Sequence, residues 1–233
     1  MGPRKLMTTT HQVTRRAAVQ SLLLLPSTIV LAAQEPPPAG KDRALWNKVY
    51  SEEDSRVTSY PNRFLADVVQ GKTPGRALDI GMGQGRNSLF LARLGWDVTG
   101  VDISDKGIEI AKKEAEKANL KVNCVVADFT TFDTGKDQWD LVAGIYMGGL
   151  ILTQAKRIAE GLKSGGLLVV ENFHRDINVT ALTGGKLGYP VNALLENFVP
   201  LLRIVRYEEI LDFPDWSNRG KKVPLVRMLA RKG

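Results

Sequence analysis

Arg76–Ser88 reads R-A-L-D-I-G-M-G-Q-G-R-N-S, and Val98–Ser104 follows it with V-T-G-V-D-I-S. Ala77, Leu78 and Ile80 make a short apolar run that contains Asp79 and stops at three spaced glycines, Gly81, Gly83 and Gly85. Leu89, Phe90, Leu91 and Leu94 then recur at helical spacing. Strand, tight glycine turn and helix is the opening of a nucleotide-binding α/β unit. The glycines supply backbone conformations closed to other residues and let a bulky ligand approach bare backbone. One strand later, Asp102 ends the apolar run Val98–Val101, where a carboxylate is placed to accept both hydroxyls of a ribose.

Composition narrows the classes. A chain of 233 residues with 43% hydrophobic and 24% charged residues has enough apolar side chain for a substantial core. The net charge of +7 is spread without a basic block, which argues against a nucleic-acid partner. One cysteine, Cys124, rules out an intramolecular disulfide and a cysteine-cluster metal site. With only His11 and His174 besides, a metal centre is not expected. The oligomeric state is not legible.

Residues 1–33 have the pattern of a targeting segment: Arg4, Lys5, Arg15 and Arg16, an apolar stretch interrupted by Pro26, then Ala32 and Ala33. The run T-R-R-A-A-V-Q resembles a twin-arginine export signal, although it lacks the usual Phe and has Gln20 where Lys is common. The apolar run is too short for a stable membrane span. Residues 34–41, with Pro36, Pro37 and Pro38, read as a linker, and 42–233 as the folded domain.

Within that domain Ala44–Tyr50 predicts a helix with Leu45, Trp46 and Val49 facing inward, and Arg63–Gln70 a second one. Ser104 is placed to cap a helix over Asp105–Asn119. Val122–Ala127, Trp139–Met147 and Leu167–Asn172 read as further buried strands, with a helix over Leu150–Leu162 and a turn at Lys163–Gly166. Cys124 reads as a small core residue. A glycine-rich loop, Gly184–Pro190, is a candidate flank for an acceptor site. Val205–Phe213 and Leu225–Arg231 read as a closing antiparallel hairpin.

The D-x-G-x-G-x-G pattern at Asp79–Gly85, with Arg86 where a dinucleotide fingerprint has its third glycine, resembles motif I of the class I S-adenosylmethionine-dependent methyltransferases. The likeness runs over roughly Leu45–Lys232. A-L-D-I-G-M-G-Q-G-R-N-S-L-F-L-A, D-V-T-G-V-D-I-S and the closing M-L-A-R-K resemble the tellurite-resistance (TehB-like) and thiopurine-methyltransferase-like group. The resemblance implies a three-layer Rossmann-like α/β sandwich, with a seven-stranded sheet parallel except for one strand. It implies S-adenosylmethionine as cofactor and a small-molecule acceptor of the methyl group. By resemblance Asp79, Gly81, Gly83, Gly85 and Asn87 hold the methionine end, Asp102 and Ile103 the ribose, and Asp128 and Phe129 the adenine. Ile145 lines the site, and Trp46 and Tyr50 either cover the cofactor as a lid or are ordinary core aromatics. The family's acidic-Pro-Pro-Tyr motif for amino-group acceptors is absent after Trp139.

On the acceptor side His174 and Arg175 follow the fifth strand, at the edge where α/β proteins bind ligands. His174 suits a base for a thiol or hydroxyl, or is a surface loop histidine; Arg175 suits an anionic acceptor such as an oxyanion. Two other readings compete: an NAD(P)-dependent oxidoreductase, and a non-catalytic S-adenosylmethionine-binding protein. Export and a cofactor made in the cytoplasm pull the expected location in opposite directions.

Overall fold

The computed structural model describes Gly2 and residues 39–51, 59–175, 188–215 and 220–233. The leader-like stretch (Gly2 apart), residues 34–38 of the Pro-rich stretch and residues 184–187 of the glycine-rich loop lie outside the described residues. The described residues from 39 to 233 form one compact unit. Its elements are α1 (Ala39–Ser51), α2 (Arg63–Val69), β1 (Arg76–Ile80), α3 (Arg86–Arg93), β2 (Asp97–Asp102), α4 (Asp105–Lys117), β3 (Asn123–Val126), β4 (Trp139–Ile145), α5 (Leu150–Thr153), α6 (Ala155–Gly161), β5 (Leu162–Phe173), α7 (Ala193–Phe198), β6 (Arg203–Asp212) and β7 (Val223–Arg231).

The seven strands lie in the order β3-β2-β1-β4-β5-β7-β6. Pairs among β1 to β5 are parallel, and β7 runs antiparallel to both β5 and β6. The sheet is therefore parallel except for β7, as the sequence predicts. Each sheet face has its own apolar cluster. Leu78, Ile80, Val170, Ile158, Leu194 and Phe198 fill one; Ala77, Val169, Leu65, Leu91 and Trp96 fill the other. Adjacent residues of β1 and β5 divide between the two clusters because side chains alternate across a strand.

Several elements differ from the sequence reading, each for a physical reason. Helix α1 starts at Ala39, inside the stretch read as linker, because only the prolines before it resist a helix. Leu45 is exposed rather than inward, since Trp46 and Tyr50 form the packed side of that helix. The single helix expected over Leu150–Leu162 is broken after Thr153, whose hydroxyl donates to the Leu150 carbonyl (3.0 Å) and competes with the helical ladder. The turn at Lys163–Gly166 is instead part of β5: Gly165 takes φ +79°, and Gly165 and Gly166 exchange backbone hydrogen bonds with Lys232. β3 is a sheet edge, so it is half-exposed rather than buried, and Cys124 with it.

The core cluster under α7 sets a stability prediction. Phe198 is fully buried and Val205, on the β6 edge, is exposed. Phe198→Ala should cost about 3–5 kcal/mol in urea unfolding, whereas Val205→Ala should stay within about 0.5 kcal/mol.

Candidate functional site

The site forms where β1, β2 and β4 end. The turn after β1 places Gly81 at φ +70°, Gly83 at φ +53° and Gly85 at φ +85°, the last being the residue before α3. Gly81 and Met82 donate to the Val101 carbonyl (2.7 and 3.1 Å), which clips the turn to β2. A Cβ on Gly81 would overlap the Met147 sulfur, and one on Gly83 the Tyr50 hydroxyl. The space over this backbone thus holds the far ends of two side chains rather than backbone, a cradle suited to a ligand.

Asp102 closes the turn from the side. Its Oδ2 accepts from Gly83 N–H (2.8 Å) and its Oδ1 from Ser104 N–H (2.7 Å). Each oxygen keeps a second lone pair, which is what a ribose diol requires. Burial raises the Asp102 pKa, and the backbone donors at Ser104, Gly83 and Ile103 oppose that rise. Ser104 caps α4 as its sequence predicts, accepting from Gly107 N–H (3.0 Å).

Asp79 is buried at the end of β1 and accepts from the Ser88 hydroxyl (2.6 Å). Burial pushes its pKa up to about 6, against the Ser88 hydrogen bond and the Arg86 charge. Its folded pKa stands above the unfolded value of 3.8, so the ionised carboxylate opposes folding above about pH 6 and ceases to as the pH falls toward 4.

Helix α1 lies along the site. Asn47 accepts from the Ser104 hydroxyl (2.6 Å) and donates to Asp105 (2.9 Å). Tyr50 sits against Gly83 and Gly107, with Trp46 stacked on it at 6.1 Å. Tyr50 lies over the glycine turn, and Trp46 packs on Tyr50. Asn87 is buried and accepts from the Asn62 backbone N–H (2.9 Å). Asp128 turns back to accept from the Thr130 N–H and hydroxyl, both at 2.8 Å. Phe129 is taken up by the core beside Phe132 and under the Arg157 guanidinium. Ile145, the last residue of β4, is buried, and Ile103 is half-buried beside Asp102.

His174 and Asp79 lie on opposite faces of the sheet. His174 continues the side of β5 that carries Val170, whereas Asp79 continues the side of Ala77. His174 is buried, with Nε2 3.6 Å from Glu209 Oε2, and is bridged to Tyr189. The reading of His174 as a surface loop histidine is therefore overturned, because the turn at Tyr189 pairs back onto the end of β5. Arg175 is exposed, its backbone N–H bonded to the Tyr189 carbonyl (2.8 Å).

Sequence reasoning missed a buried polar group beside the glycine turn. Asn62 caps α2 through Leu65 N–H (2.9 Å) and donates from Nδ2 to Glu171 (2.7 Å) and Asp215 (2.8 Å). Glu171 also accepts from the Tyr146 hydroxyl (2.8 Å) and from Arg227, which reaches Asp212 as well (3.0 Å). Tyr146 stands at φ +58°, a rare conformation for a tyrosine, where β4 ends. The signals were single charges inside apolar strands: Glu171 in L-L-V-V-E-N-F and Arg227 in P-L-V-R-M-L-A.

Comparison with known proteins agrees with this geometry. Residues 77–166 match the model of a methyltransferase domain family. The chain is 31% identical over 133 residues, 57% of its length, to a ribosomal protein L11 methyltransferase of Dictyoglomus turgidum. It is 39% identical over 64 residues, 28% of its length, to a probable S-adenosyl-L-methionine-dependent methyltransferase TehB of Haemophilus influenzae. These matches span 41% and 22% of the two relatives' own lengths. The crystal structure of Haemophilus influenzae TehB superposes with a TM-score of 0.62 at 23% identity, covering 82% of this chain and 67% of that one. With the glycine turn, Asp102 and the single antiparallel strand in place, residues 77–166 match a methyltransferase domain, the chain is similar over part of its length to TehB and shares its fold, and S-adenosylmethionine is the cofactor that this similarity implies.

Proposed function

We propose that this protein transfers a methyl group from S-adenosylmethionine to a small-molecule acceptor through sulfur, oxygen, nitrogen, or a selenium or tellurium oxyanion. The observation that carries the reading is Asp102, fixed by Gly83 and Ser104 with a lone pair left on each oxygen, beside a glycine turn covered only by the Met147 and Tyr50 side chains. The cofactor supplies a methyl group already activated on a sulfonium, which the acceptor's lone pair displaces in line. The chain therefore needs chiefly to hold two molecules in register, and positioning alone accounts for a large rate gain.

Each residue has a positioning task. Asp102 holds the ribose hydroxyls and Asp128 the adenine amino group. The backbone of Gly81, Gly83 and Gly85 cradles the methionine end, which Asp79 orients in its ionised form. Tyr50 and Trp46 exclude water from above. A small acceptor is favoured because the segment after β4 reads Ile145-Tyr146-Met147 and lacks the motif for amino groups of nucleobases or glutamine. His174, backed by Glu209, is the candidate to take a proton from a thiol or hydroxyl, and Arg175 to steady an anionic acceptor.

Calorimetry on the full chain tests the reading. S-adenosylmethionine and S-adenosylhomocysteine should bind, NAD should not, and Asp102→Ala should abolish binding. NAD binding, or no binding of either sulfur ligand, would overturn it. Binding without S-adenosylhomocysteine formation across thiols, phenols, amines, selenite and tellurite would leave a non-catalytic cofactor-binding protein. The Asp79 titration adds a pH dependence. With its pKa at about 6, S-adenosylhomocysteine affinity should fall roughly tenfold between pH 7 and pH 5, and Asp79→Asn should flatten that profile.

A further inference from the structure

One guanidinium holds the turn that carries Asp128. Arg157 lies on α6, half-buried. Its Nη1 donates to the carbonyls of Phe129 (3.2 Å) and Thr130 (2.7 Å) and to Gln154 Oε1 (2.7 Å). Its Nη2 donates to the Phe132 carbonyl, and its guanidinium carbon lies 5.8 Å over the Phe129 ring. The turn runs from Asp128 to Phe132, with the Thr131 and Phe132 N–H groups donating to the Asp128 carbonyl (3.1 and 3.0 Å). At its start Asp128 Oδ1 accepts from the Thr130 N–H and hydroxyl. The Ala127 N–H just before it donates to the Asp102 carbonyl (2.9 Å).

A single turn does not hold itself, because fixing its dihedrals costs more than its few hydrogen bonds return. Here a charged group sits at each end: the Asp128 carboxylate on the Thr130 donors, the guanidinium on the carbonyls. Only arginine carries enough donors in one rigid plane to reach three carbonyls at once. Seating α6 does not require that charge, since Ala155, Ile158 and Ala159 already place the helix in the core. The consequence lies at Asp128. One of its oxygens is taken up by the turn, and Oδ2 is left to accept from a ligand. Ala127 at one end and Arg157 at the other fix where that oxygen stands. A fixed acceptor tells a ring amino group from a ring carbonyl, because the amino group donates to it and the carbonyl oxygen repels it.

We propose that Arg157 is a positioning residue that sets the site's selectivity for a 6-aminopurine, acting through Asp128. The inference rests on the proposed function, in which Asp128 takes the adenine amino group. Asp128 supplies the acceptor, and Arg157, reaching across from α6, holds the turn that aims it. Without the guanidinium the turn loosens, and a mobile carboxylate moves away from a carbonyl as readily as toward an amine.

The test compares S-adenosylhomocysteine with S-inosylhomocysteine, which has an oxo group in place of the purine amino group. Calorimetry on the full-length protein and its Arg157→Met, Arg157→Lys and Asp128→Asn variants reads both affinities, with thermal unfolding as a check on the fold. The unaltered protein should prefer the amino probe about tenfold or more. In Arg157→Met that preference should fall to about twofold or less, through lost S-adenosylhomocysteine affinity alone. Arg157→Lys, which keeps the charge but not the fork, should lie between, and it decides the matter if Arg157→Met folds poorly. Asp128→Asn should remove the preference, and adding Arg157→Met to it should change the ratio no further. Equal weakening of both probes in the Arg157 variants, with the ratio intact, would show a purely structural contact and overturn the inference alone. An unaltered protein without preference, or a ratio unmoved by Asp128→Asn, would overturn the inference together with the adenine role of Asp128. Failure of the unaltered protein to bind S-adenosylhomocysteine at all would overturn the whole proposed function, and the inference with it.

Discussion

The Asp102 carboxylate joins the two turns that make the site. One oxygen holds the Gly83 N–H of the turn after β1, and the other holds the Ser104 N–H that opens α4. Charge-assisted hydrogen bonds to backbone donors are among the stronger contacts available to a carboxylate. They fix the glycine turn against the end of β2, and through Ser104 and Asn47 they also set where α1 lies. Without Asp102, the glycine turn would keep only its backbone bonds, such as those from Gly81 and Met82 to the Val101 carbonyl. One side chain at the end of one strand therefore ties the glycine turn to the start of α4.

The other side of the cradle is built from charge buried in an otherwise apolar sheet. Glu171 and Arg227 face each other across β5 and β7, in register. Asn62 connects them to Asp215 and Arg86. Buried ion pairs contribute little net stability compared with apolar residues of the same size. They are concentrated beside the glycine turn, with Tyr146 at positive φ in their midst. The antiparallel strand β7 matters here because it carries Arg227 to Glu171, and its connection to β6 carries Asp215 to Arg86.

His174 shows how the acceptor side differs from the cofactor side. Its placement follows from strand alternation and from Tyr189, which pairs back onto the end of β5 and buries the imidazole against Glu209. The cofactor side is organised by backbone donors and glycine conformation. The acceptor side is organised by which face of β5 each side chain takes.

The nucleotide-binding half was legible in the chain itself. Asp79, the three glycines, Asp102 and Ser104 are consecutive in role and close in sequence, and local rules govern them: positive φ at glycine, a cap before a helix, a carboxylate ending a strand. The closing hairpin was legible for the same reason, from alternation and a polar turn. What only the tertiary structure decided were the pairings between distant segments: Glu171 with Arg227, Arg86 with Asp215, and His174 with Glu209. A lone charge in an apolar strand signals that some partner exists. Which partner it meets depends on strand order and register, and those are set by burial of the two whole sheet faces rather than by any local pattern.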